Sequence, residues 1–71
     1  MLSFEFANNG RAIQIYCDSQ GIAALIGALE KVRSSGHLHL WTPSNGGRDL
    51  SEKNPWGKPA ISEVIITTGG D

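Results

Sequence analysis

Four short stretches of the chain alternate apolar with polar residues, and one longer stretch repeats every three to four. In residues 2–6, Leu2, Phe4 and Phe6 fall on one side and Ser3 and Glu5 on the other, the period-two signature of a half-buried strand. Asn8-Asn9-Gly10 follows, a turn signal because Asn and Gly tolerate the positive φ of tight hairpins. Residues 11–17 alternate again, with Ile13, Ile15 and Cys17 on one face and Ala12, Gln14 and Tyr16 on the other. The two runs predict a hairpin.

Asp18 or Ser19 is placed to cap a helix running to about Ser34. Ile22, Leu25, Ile26, Leu29 and Val32 form its apolar stripe. A glycine within the helix, Gly21 or Gly27, is expected to let it sit close to the sheet, and Gly36 to stop it. His37–Trp41 is a third strand, with Leu38 and Leu40 opposite His37, His39 and Trp41. Ala60 to Thr68 is a fourth. Its Val64 and Ile66 are expected to face the core, and Ile61, Glu63, Ile65 and Thr67 to face outward. Residues 69–71 read as a frayed tail.

The order β-β-α-β-β predicts an α+β fold, one helix packed on one face of a four-stranded, mostly antiparallel sheet. All 71 residues form one domain, residues 1–71, too small to bury more than a thin core. The connector 42–59 has three prolines, three glycines and no apolar period. Loops of this length in a compact domain are usually functional or disordered.

Composition narrows the function. A net charge of −1 offers no basic excess for a phosphate backbone, so nucleic-acid binding is disfavoured. The lone Cys17 cannot form an internal disulfide, and no apolar run reaches the ~18 residues of a membrane span. Met1 is followed by no charged and apolar leader. A cytoplasmic protein with no membrane partner is expected. Cys17 itself reads as a small core residue.

Catalytic and cofactor motifs of the GxSxG, HExxH, P-loop and GxGxxG kinds do not occur, so no cofactor is expected. Asp49, Glu52, Lys53 and Lys58 make a mixed-sign loop surface. The outward face of the sheet is less ordinary: it carries Tyr16, His37, His39, Trp41, Glu63 and Ile65. Aromatic residues with polar tips are enriched in protein interfaces. Arg48 and Trp56 are the connector residues best suited to anchor a partner. The plainer alternatives are a Trp41 covered by the connector and a Trp56 plugged into the core. His37 and His39 point the same way and can reach one ion, but lack a recognised zinc spacing, so they read first as polar surface.

The run HLHLWTPSNGGRDLS resembles a motif of bacterial immunity proteins encoded beside polymorphic toxins, the immunity family numbered thirty-two. The shared elements are Asp18-Ser19-Gln20-Gly21, His37 to Leu40, Thr42 to Gly47, and Leu50-Ser51. They cover most of residues 18–66, and Thr-Pro-Ser-x-Gly-Gly is the most specific. The family often has an aromatic residue where this chain has Asn45, so no aromatic contact is carried over there. The resemblance implies a protein that binds a cognate toxin and occludes it without catalysis. Tyr16, Trp41 and Trp56 would anchor the partner, and His37, His39, Arg48 and Glu63 would orient it. Two other classes remain open: a small-ligand or metal-binding domain using His37 and His39, and a homo-oligomer joined through sheet faces or an edge strand.

Overall fold

A computed structural model describes residues 1–69. The order is β1 (Leu2–Ala7), β2 (Ala12–Cys17), α1 (Ser19–Ser35), β3 (His37–Trp41), a short 3-10 turn (Pro43–Asn45) and β4 (Glu63–Thr67). This is the expected β-β-α-β-β order with one helix. The tail expected at 69–71 falls, past Gly69, outside the described residues.

Local signals account for the boundaries. Asn8, Asn9 and Gly10 all take positive φ, and the turn closes through Gly10 N–H donating to the Ala7 carbonyl at 3.1 Å. Asp18 caps α1, its side chain accepting from Gly21 N–H at 2.8 Å. Gly36 ends the helix in the left-handed conformation and donates to the Val32 carbonyl, the usual glycine stop.

The single four-stranded sheet is not formed. β1 pairs only with β2 and β3 only with β4, giving two antiparallel two-stranded sheets. The reason lies in the connector. The Leu2 carbonyl of β1 accepts from Ser51 N–H at 2.7 Å, and the Phe4 carbonyl from Ile61 N–H at 2.8 Å. With those acceptors taken, the free edge of β1 has no ladder to offer the second hairpin. The connector continues the stitching: Leu50 N–H donates to the Trp41 carbonyl at 3.2 Å and Ala60 N–H to the Glu52 carbonyl at 3.1 Å. β4 accordingly begins at Glu63, later than Ala60, and Ile61 packs against the core instead of facing outward.

The core is small: Leu2, Phe4, Ala28, Leu40 and Leu50, with Leu25, Leu38, Ile61, Val64 and Ile66 packed around it. Leu38 pairs with Ile66 and Leu40 with Val64 across the second hairpin, and all four face the core as the alternation predicts. The helix keeps part of its expected face, with Val32 buried and Leu25 packed on the core, but is turned away from the rest of it. Gly21, Ala28 and Val32 are its buried residues, while Ile22, Ile26 and Leu29 are each about half exposed. Gly21 sets this rotation. A Cβ there would overlap the Met1 carbonyl oxygen and come within 2.9 Å of Cys17 Cβ. The close approach thus occurs at Gly21; at Gly27 a Cβ would meet nothing within 4 Å. Cys17, expected inside, is exposed where β2 turns into the helix. Ile13 and Ile15 are also exposed. They lie on the helix side of their hairpin, because their cross-strand partners are Phe6 and the buried Phe4. No helix among the described residues is long and apolar enough to cross a membrane.

Candidate functional site

The outer face of the second hairpin is built by strand parity. His37, His39 and Trp41 alternate with core-facing Leu38 and Leu40, and their cross-strand partners are Thr67, Ile65 and Glu63. Side chains on one strand face lie close enough to touch, and here the polar ones form a continuous chain. Thr67 Oγ1 and His37 Nδ1 are 2.8 Å apart, His37 Nε2 and His39 Nε2 2.8 Å, and His39 Nδ1 and Glu63 Oε2 2.7 Å. Trp41 Nε1 donates to the same Glu63 oxygen at 2.6 Å. The rings stack as well: His39 lies over Trp41 at 5.4 Å and meets His37 edge-on at 4.7 Å.

With both imidazoles neutral, donor and acceptor needs fix one arrangement. His39 donates from Nδ1 to the carboxylate, so its Nε2 accepts from His37 Nε2–H. His37 Nδ1 then accepts from the Thr67 hydroxyl. Glu63 is the fixed end of the chain. The hydrogen bond from His39, then that from Trp41, hold its carboxyl below the ordinary value and outweigh partial burial.

A second group forms on the first hairpin. Trp56 is 68% exposed and is not a core plug. It meets Tyr16 edge-to-face at 4.9 Å. Asn54 holds it there: its Oδ1 accepts from Trp56 N–H and Lys58 N–H, each at 3.0 Å, and its Nδ2 donates to Glu5 at 3.3 Å. The connector therefore covers the outer side of β1–β2, which the sequence left bare. Glu5 raises the Tyr16 phenol above its ordinary value, chiefly through a hydrogen bond, with burial and charge adding to it.

The structure thus joins His37, His39, Trp41 and Glu63 in one row and Tyr16 with Trp56 in a separate pair, on different hairpins. Arg48 is exposed on the connector. Trp41 is not covered by the connector, being 37% exposed. Thr67 and Asn54 belong to these groups but were not singled out from the sequence. The Asn54-Pro55 dipeptide, a frequent turn opener, was the available signal for the second.

The Thr42–Gly47 motif is explained by packing. Thr42 is buried, and its carbonyl accepts from Asn45 N–H at 2.9 Å and Gly47 N–H at 3.0 Å. Gly46 takes φ +85°, and a Cβ on Gly47 would overlap Trp41. Glu52 closes the turn by accepting from Ser44 N–H and from the Ser44 hydroxyl. Among the described residues no group of three or more His, Cys, Asp and Glu side chains gathers as a metal site. No family model, curated protein or solved structure matches this chain.

Proposed function

We propose that the protein is an immunity protein: it binds a cognate bacterial toxin and occludes it, without catalysis, through the outer face of β3–β4 and the adjoining connector. One observation supports this above the others. The uncovered face presents Trp41 and Ile65 beside polar groups already hydrogen-bonded to one another. A surface whose side chains are held before contact loses little rotamer freedom on binding, and exposed aromatic anchors are where binding energy concentrates. Trp56 and Tyr16 extend the surface on the first hairpin, and Arg48 supplies a positive rim. The resemblance of residues 18–66 to toxin-immunity proteins supplies the class of partner.

The test is co-expression with the protein encoded beside it, followed by calorimetry. Trp41→Ala is expected to weaken binding by about 2 kcal/mol or more, the threshold of an interface hot spot. Unchanged affinity in a folded variant would remove Trp41 from the interface.

A second reading, self-association, is favoured by a different surface. Among the described residues β2 has no strand paired on its outer edge, and it carries no charged residue within Ala12–Cys17, the kind of edge that natural sheets usually protect. Phe6, Ile13 and Ile15 of the same hairpin and Ile22, Ile26 and Leu29 of α1 stand about half exposed. A second copy pairing β2 with β2 about a two-fold axis would bury on the order of 1,000 Å² in total, near the lower bound of specific interfaces. A sedimentation mass that rises with concentration, and stays monomeric in Ile15→Lys, is the expected result. A monomer at all concentrations would exclude it.

A further inference from the structure

The geometry points to a divalent-cation site at His37 and His39, selective for ions that accept two imidazoles at adjacent corners, Cu(II) or Ni(II). This inference does not depend on the immunity reading.

Both imidazoles turn Nε2 toward a common point and Nδ1 toward a supporting group. His39 Nδ1–H is held by the Glu63 carboxylate at 2.7 Å. His37 Nδ1 lies 2.8 Å from Thr67 Oγ1, which as a hydroxyl accepts as readily as it donates. Moving the one shared proton from His37 Nε2 to His37 Nδ1 therefore keeps both outer hydrogen bonds and frees both Nε2 lone pairs. No proton is gained or lost in this change of tautomer. A metal-bound histidine commonly has this surrounding: one nitrogen on the ion, the other fixed by a carboxylate or oxygen acceptor that orients the ring.

The spacing selects the ion. Two nitrogens bound at about 2.0–2.1 Å are ~2.9 Å apart at adjacent corners of a square and ~3.4 Å apart in a tetrahedron. The observed Nε2–Nε2 separation is 2.8 Å, nearer the square value, and each ring must turn so that its lone pair leaves the N–N line and meets an ion beside it. Square or tetragonal nitrogen and oxygen sites are those of Cu(II) and Ni(II). The remaining corners face solvent and would carry water. Two protein ligands give micromolar rather than structural affinity.

Trp41, stacked on His39, is a built-in reporter. The full chain carrying Trp56→Phe is titrated with Cu(II) in a non-chelating buffer while Trp41 emission is followed. Calorimetry with Ni(II) on the unsubstituted chain measures affinity independently. Saturable one-to-one quenching in the micromolar range is expected. Affinity should fall at least tenfold for both ions in the double variant His37→Ala, His39→Ala. Circular dichroism should be unchanged, because neither ring is in the core. Glu63→Gln should weaken binding several-fold by loosening His39. Equal affinity in the double variant, or quenching that never saturates, would overturn the site.

Discussion

Two glycines of the same helix should respond oppositely to the same added methyl. At Gly27 a Cβ meets nothing within 4 Å, so Gly27→Ala gains the helix propensity difference of about 0.8–1 kcal/mol with no steric cost. For a domain of this size, 1 kcal/mol moves the melting temperature by roughly 4–8 °C. At Gly21 the new Cβ would overlap the Met1 carbonyl oxygen and sit 2.9 Å from Cys17 Cβ, against a normal carbon contact of about 3.5 Å or more. Relief requires α1 or the start of β1 to move, and β1 is pinned by the connector through the Leu2 carbonyl at 2.7 Å. Overpacking of this kind costs about 1–3 kcal/mol. It exceeds any propensity gain at Gly21, which lies in the first turn and already donates to the Asp18 cap. Gly21→Ala is therefore expected to lower the melting temperature and Gly27→Ala to raise it. Thermal denaturation and urea titration of both variants at low protein concentration give the comparison. Stabilisation by Gly21→Ala would mean that the helix does not rest on the Met1 carbonyl, and the account of its rotation would fail.

The same rotation predicts which apolar residues matter. Val32→Ala, at a site only 3% exposed, should cost about 2 kcal/mol, whereas Ile26→Ala, at 55% exposure, should stay within about 0.5 kcal/mol in dilute urea titrations. Comparable losses at the two sites would restore the helix face read from the sequence, which held both residues. Asp18 predicts a pH effect: hydrogen bonds from the chain's amino group, then from Gly21 N–H, hold its carboxyl below the ordinary value. A lowered folded pKa contributes stability that is complete above the unfolded value, about 3.9, and is lost as pH falls through the folded one. Melting temperatures should therefore separate the unsubstituted chain from Asp18→Asn at neutral pH and converge in acid, once the pH lies below the folded pKa. A gap that persists there would assign the effect to packing.

Signals carried within a few residues were legible in the sequence: the Asn-Asn-Gly turn, the Asp18 and Gly36 caps, the parity of His37–Trp41, and the shared core face of Leu38, Leu40, Val64 and Ile66. Each depends on local φ preference or strand period. What depended on distant backbone was not legible. Of the expected stripe, Leu25 and Val32 face the core while Ile22, Ile26 and Leu29 do not, because helix periodicity ranks residues by side-chain size. It cannot register that the Met1 carbonyl occupies the space a Cβ at Gly21 would need. The single sheet failed similarly, because hydrogen bonds from Ser51 and Ile61 to β1 leave no apolar pattern.

The split of the sheet bears on the site. The connector inserts beside β1, splits the sheet, and folds Trp56 over Tyr16, so the first hairpin loses its open outer face. The second hairpin keeps its own. Trp41 is fixed at its backbone by the Leu50 contact and the turn packed against it at Gly47, and at its indole by Glu63. The connector thus braces the site instead of forming it. On the proposed function, the face offered to a partner is strand-borne, where rotamers are held by stacking and by a continuous hydrogen-bond chain. Recognition by this protein is then expected to be set by the row from Thr67 to Trp41 rather than by motion of the long connector.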